Sequence, residues 1–146
     1  MYVKLTNGNV DQFPYTIGHL RRDNPNVSFP KQVTLGILED YDVYPVTFLT
    51  KPTHDPLVQN LVQSQPSLNS GSWQVSYTVE NMEQSNAAAN VRDKRNRLLA
   101  ETDWWAVSDR TMTTAQTQYR DALRDIPAQA GFPFNITWPT NPEAEE

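Results

Sequence analysis

The chain is 146 residues long, with 12 basic and 17 acidic side chains and a formal net charge of −5, a length that suits one domain or one domain with a helical appendage. It has no cysteine, which excludes disulfides, a thiol nucleophile and cysteine-ligated zinc. Residues 1–82 carry 5 basic and 7 acidic groups and residues 83–146 carry 7 and 10, so no basic domain emerges of the kind that neutralising nucleic-acid phosphates requires.

The first half carries strand and turn signals. Tyr2-Val3-Lys4-Leu5 alternates in polarity, Asn7-Gly8 offers the positive φ angles of a tight turn, and residues 10–13 return, which predicts an opening hairpin. Within residues 15–23, Ile17 and Leu20 share a spacing of three and Thr16 is placed as a cap, predicting a short helix that Asn24-Pro25-Asn26 stops. A second short helix is expected over 33–38. Residues 43–49 are rich in β-branched and aromatic side chains and read as a strand, with Pro45 near its start or at a sheet edge. Residues 57–65 and 73–80 are expected to pair across the turn-rich loop 66–71. In the second arm Trp73, Val75, Tyr77 and Val79 alternate with Gln74, Ser76, Thr78 and Glu80, which predicts one buried and one wetted face.

From Glu83 the texture changes: proline is absent until Pro127 and glycine until Gly131, while Ala, Arg, Asn and Gln dominate. A helix is predicted from near Gln84 to near Thr102, its narrow apolar seam marked by Val91, Lys94, Leu98, Thr102 and Trp105, with Leu99 beside it. Residues 109–113 break it. Thr113 and Gln116 then have capping-box spacing for a second helix, whose core face is expected to be Ala115, Tyr119, Ala122, Leu123 and Ile126. The tail from Gly131 to Pro139 holds Phe132, Phe134, Ile136 and Trp138. It is too apolar for a free end, so the helical hairpin is expected to lie under it.

Catalytic chemistry finds little support in these residues. His19 and His54 are far apart in the sequence, no Gly-x-Ser-x-Gly elbow surrounds a serine, and five glycines form no phosphate-cradling loop. Glu39, Asp40 and Asp42 lack the other oxygen ligands of a calcium loop and read as a solvated turn. Arg92, Arg95, Arg120 and Arg124, close to Asp93, Asp121 and Asp125, read as surface ion pairs, with Arg124 and Asp125 a candidate for fixing hairpin register. The expectation is a protein without enzymatic activity, cofactor or metal, and without a membrane-spanning segment or a secretion signal. Four aromatic residues, Trp73, Tyr77, Trp104 and Trp105, are the candidates for holding a partner. Two adjacent indoles cannot share one helix face, so one of Trp104 and Trp105 should point inward and the other outward.

In the C-terminal third the blocks Arg95-Asn96-Arg97-Leu98-Leu99, Asp103-Trp104-Trp105, Asp109-Arg110, Tyr119-Arg120, Leu123-Arg124, Gly131-Phe132-Pro133 and Trp138-Pro139 occur in that order. Over roughly residues 90–142 they resemble the phage tail assembly chaperone family. More loosely, the chain is similar to tail fibre assembly proteins, and residues 14–30 with Tyr44-Pro45-Val46 resemble N-terminal modules from phage tail-fibre gene neighbourhoods. The resemblance implies no catalytic residue. It implies a protein that binds a phage tail fibre or another, oligomeric tail protein and aids its folding or trimerisation in the host cytoplasm, in some cases staying on the virion tail. A permanent structural subunit of the tail, baseplate or fibre adaptor is the alternative.

The fold expected is α+β: a small, mostly antiparallel β module with short helices over 1–82, read as the partner-binding part, then a helical hairpin with an extended Trp-Pro tail over 83–146.

Overall fold

The computed structural model describes residues 1–144. Strands β1 (Tyr2–Thr6) and β2 (Asn9–Tyr15) form the opening hairpin, with Asn7 at φ 53° and Gly8 at φ 76°. Those left-handed conformations give the turn a twist that matches its flanking strands. Helix α1 (Ile17–Asp23) starts where the Thr16 hydroxyl accepts the His19 N–H, and α2 (Leu35–Asp40) where Thr34 accepts the Ile37 N–H. The second helix thus begins at Leu35 rather than residue 33, because Thr34 takes the cap position.

Strand β3 (Val43–Phe48) lies in the interior of a five-stranded sheet ordered β2-β1-β3-β6-β5, where β5 is Ser67–Asn69 and β6 is Ser72–Val75. Pro45 is therefore not at a sheet edge. It is tolerated because β3 changes partner there: Val43, Tyr44 and Pro45 pair antiparallel with β1, and Val46, Thr47 and Phe48 pair parallel with β6. The missing proline N–H falls at the changeover, and the next N–H, from Val46, donates to the Met1 carbonyl at 3.2 Å. The sheet is mixed, with β3 and β6 its parallel pair.

Strands β4 (Gln59–Gln63) and β7 (Tyr77–Asn81) form a separate two-stranded sheet, so the two arms expected to pair do so. The second arm is nevertheless not one strand. It breaks at Ser76, whose N–H and hydroxyl both bond the Ser64 hydroxyl, and the loop expected between the arms holds β5, joined to β6 by Ser70 and Gly71 at φ 49° and 79°. An unbroken period-two pattern cannot reveal such a change of sheet.

Contacts divide the chain into two compact units: Met1–Thr53 with Leu61–Thr78, and His54–Asn60 with Val79–Glu146. The core of the first is Tyr15, Leu20, Leu38 and Val43, with Tyr2, Ile17, Phe29, Val33 and Tyr41 around it. In the second, α3 (Gln84–Glu101), a 3-10 turn (Asp103–Ala106), α4 (Thr114–Arg124) and a further 3-10 turn (Ile126–Ala128) follow in order. Val58, Ala87, Val91, Trp105, Tyr119, Leu123 and Ile126 form its buried cluster, against which Leu98, Leu99, Phe132, Phe134, Ile136 and Trp138 pack. Ala115 is exposed, and Gln116 and Arg120 are buried in its place on α4.

Candidate functional site

Within the second unit the adjacent indoles diverge: Trp105 is 1% exposed and Trp104 50%. Trp105 stacks at a tilt on Tyr119, with centroids 6.0 Å apart, and meets Trp104 edge to face at 6.2 Å. Trp104 is capped on its outer face by the Arg110 guanidinium, 4.1 Å from the ring centroid. Burial pushes the Tyr119 phenol above its ordinary pKa, and the nearby Glu101 charge adds to this.

Arg120 corrects the expectation of a surface pair. Its Nη1 donates to the Leu99 carbonyl and the Thr102 hydroxyl and its Nη2 to Asp103 Oδ1, so a side chain from α4 closes the C-terminal end of α3. Arg124 pairs with Asp121 of its own helix at 2.8 Å, not with Asp125, and so fixes no register between helices. Gln116 has two roles: its Oε1 accepts the Thr113 N–H in the capping box, and its Nε2 donates to Glu143. The sequence showed the first role and not the second, since nothing local marks a partner so far along the chain.

The aromatic segment that follows is held by cations on α3. Arg92 lies 5.1 Å over the Phe132 ring and Lys94 lies 4.2 Å over Trp138. Pro133 is buried, Pro139 is half-buried, and the Gln129 side-chain amide bonds both the N–H and the carbonyl of Thr137. Gly131 is required by close approach, because a Cβ there would lie 2.3 Å from the Asn135 carbonyl oxygen. Leu98 and Leu99 contribute to the same cluster. Arg95 bonds Asn96, Asp109 is exposed in the loop after Trp105, and Arg97 lines an open groove of about 700 Å³ with Pro56, Leu57, Asn90, Asp93 and Asn96. Most of the motif residues thus build and clasp one core.

Trp73 and Tyr77, the other two candidates, lie in the first unit on different strands. Tyr77 carries Lys51 at 5.2 Å over its ring. Trp73 belongs to an apolar row. Alternation along β3 puts Tyr44, Val46 and Phe48 on one face and Val43, Pro45 and Thr47 on the other. Val43 packs with Leu20 and Leu38, so α1 and α2 stand on that second face. Register carries the first face across the sheet: Val46 is opposite Trp73, Trp73 opposite Leu68, and Phe48 opposite Val75. Val75 is fully buried, but Phe48 is 41% exposed and Leu68 62%, and Phe13 sits against Phe48 with centroids 6.2 Å apart. From Pro56 to Val79, the stretch that supplies Leu68 and Trp73, there is no charged residue. The sequence held this signal in plain view, as an absence rather than a motif.

His19 packs beside Tyr15 on α1, and no group of three or more His, Asp or Glu able to hold a metal occurs among the described residues. No helix there is long and apolar enough to cross a membrane. No curated protein and no solved structure matches the chain. Residues 88–143 match the family described as phage tail assembly chaperone protein. The match begins within α3 and runs through Trp105, Arg120, Gly131 and Trp138, the residues that cap, fill and clasp the second unit's core, and over this segment the chain is similar to the phage tail assembly chaperone family.

Proposed function

We propose that the protein binds the tail fibre polypeptide of a phage and aids its folding or trimerisation in the host cytoplasm, acting by binding rather than by catalysis. The observation that carries this reading is the family match over residues 88–143. The first unit's apolar face, with Phe48 and Leu68 exposed and Trp73 half-buried between Val46 and Leu68, supports it as a contact surface. Fibre chains expose strand edges and apolar faces until their trimer closes, and such intermediates aggregate. A protein that covers those surfaces raises the yield of the closed form.

Co-expression tests the proposal. Soluble, trimeric fibre should depend on this chain, and fibre that trimerises equally well without it would refute the reading. Purified particles separate a helper that leaves from one that stays: stoichiometric presence in the tail would indicate a retained subunit.

A further inference from the structure

Resting on the reading that this chain works by binding another polypeptide, we infer that the Trp73 face of the first unit, together with the β5 edge, takes an extended, uncharged β-segment of the partner. The two edges of the five-stranded sheet are unlike. Edge strands are ordinarily blunted by charge, proline or a bulge, which keep other chains from pairing with them. β2 has all three: Asp11, Pro14, and register irregularities in its pairing with β1. β5, Ser67-Leu68-Asn69, has neither charge nor proline within it, and every one of its residues is exposed.

The turn decides which backbone groups this edge offers. Ser70 and Gly71 are both in the left-handed region, which makes Asn69 and Ser72 the hydrogen-bonded pair that flanks a two-residue turn. Bonded and non-bonded pairs alternate along an antiparallel ladder, so Leu68, opposite Trp73, directs its own N–H and carbonyl out of the sheet. An added strand would bond there and set one of its side chains beside Leu68, extending the row formed by Leu68, Trp73 and Val46.

Charge defines the occupant. Strands β3, β5 and β6, which carry this row, hold no charged residue, so a Lys or Glu set beside Leu68 would find no opposite charge on them. The segment that fits is therefore neutral and apolar at alternate positions. A second copy of this chain fits less well, because two chains that each carry a net charge of −5 repel one another as they approach.

The test uses the full chain and a synthetic peptide of about ten residues alternating valine and threonine, a typical strand length, beside a control peptide with lysine in place of each valine. The first peptide should shift the amide resonance of Leu68 and the indole resonance of Trp73, and the control should shift neither. Leu68→Lys, a change at an exposed side chain that leaves the core intact, should weaken binding by about tenfold or more, as loss of an interface anchor does. Equal binding of both peptides, no binding, or binding unaffected by Leu68→Lys would overturn the inference. So would a wild-type dimer in sedimentation that Leu68→Lys dissolves, since it would assign the face to a second copy. A Leu68→Lys chain that sustains soluble fibre as well as wild type defeats this inference and leaves the chaperone reading standing. Fibre that never needs the chain defeats the chaperone reading, and the peptide result still decides the face.

Discussion

Arg120 Nη2 lies 2.9 Å from Asp103 Oδ1, and the two ends of the pair differ in exposure, 7% for the arginine side chain against 69% for the carboxylate. The solvated carboxylate contributes little. The larger effect comes from Nη1, which bonds the Leu99 carbonyl at 2.9 Å and the Thr102 hydroxyl at 2.7 Å inside the fold. Arg120→Met should lower stability by about 1–3 kcal/mol by leaving those groups unpaired. Arg120→Lys should cost nearly as much, because an ammonium lacks the planar fork. Asp103→Asn should cost less than about 1 kcal/mol. Urea unfolding midpoints give the order, and an Asp103→Asn loss equal to that of Arg120→Met would contradict it.

The tryptophan pair should separate stability from surface. Trp105 is buried against Tyr119, so Trp105→Ala should remove about 3–5 kcal/mol. Trp104 loses an exposed stack on Arg110, so Trp104→Ala should cost about 0.5–1 kcal/mol. Thermal unfolding of the two variants checks the contrast.

Gly131→Ala should destabilise by about 1–3 kcal/mol, the range for forcing volume into a packed site. The added carbon would meet Asn135 backbone oxygen and Cβ at 2.3 and 2.9 Å, and backbone cannot swing aside as a side-chain end can. Gly36→Ala is the control, since nothing lies within 4 Å of a Cβ there and alanine is the better helix former. A neutral result at Gly131 in a denaturation series would show that the Gly131–Asn135 turn gives way.

The first unit should respond to pH through Tyr15 and Asp23. The Tyr15 hydroxyl donates to Asp23 Oδ2 at 2.8 Å, and burial, with help from that bond and the carboxylate's charge, pushes the phenol from 10.0 up to about 12. A folded-state pKa above the unfolded one means a stabilisation that is complete below pH 10.0 and is lost as pH climbs through about 12. Asp23 is shifted the other way, first by the Tyr15 hydrogen bond, so its contribution is present above the ordinary carboxylate range and fades as pH falls. Tyr15→Phe should flatten the alkaline limb of the stability curve, and spectroscopic titration of the phenols should show one fewer late-ionising group in the variant, Tyr119 remaining raised in both.

Much of the local structure was legible because single residues determine it. Asn7-Gly8 specifies the first turn, and Thr16, Thr34 and Thr113 each mark a helix start, although the helix expected over 33–38 places Thr34 inside it. Long-range choices were less visible. Nothing around Ser76 announces that one alternating run serves two sheets, or that β3 pairs parallel with β6. On α4 the apolar periodicity favoured Ala115 for the core, whereas Gln116 and Arg120 are the buried residues, each with polar partners supplied from elsewhere in the chain. Burial of a polar side chain depends on its partner, and a partner distant in sequence leaves no periodic trace.

Leu57 and Val58 precede α3 by more than two dozen residues, yet Val58 is in its buried cluster and the Leu57 carbonyl accepts a bond from Asn90 at 2.9 Å. The stretch that matches the chaperone family begins at residue 88, downstream of both. That stretch is therefore not a cassette: spliced onto another protein, it would arrive with a hole where Val58 belongs and an amide on Asn90 without its acceptor. Any recipient would have to furnish a substitute for this borrowed piece before the transplanted helices could close around a core.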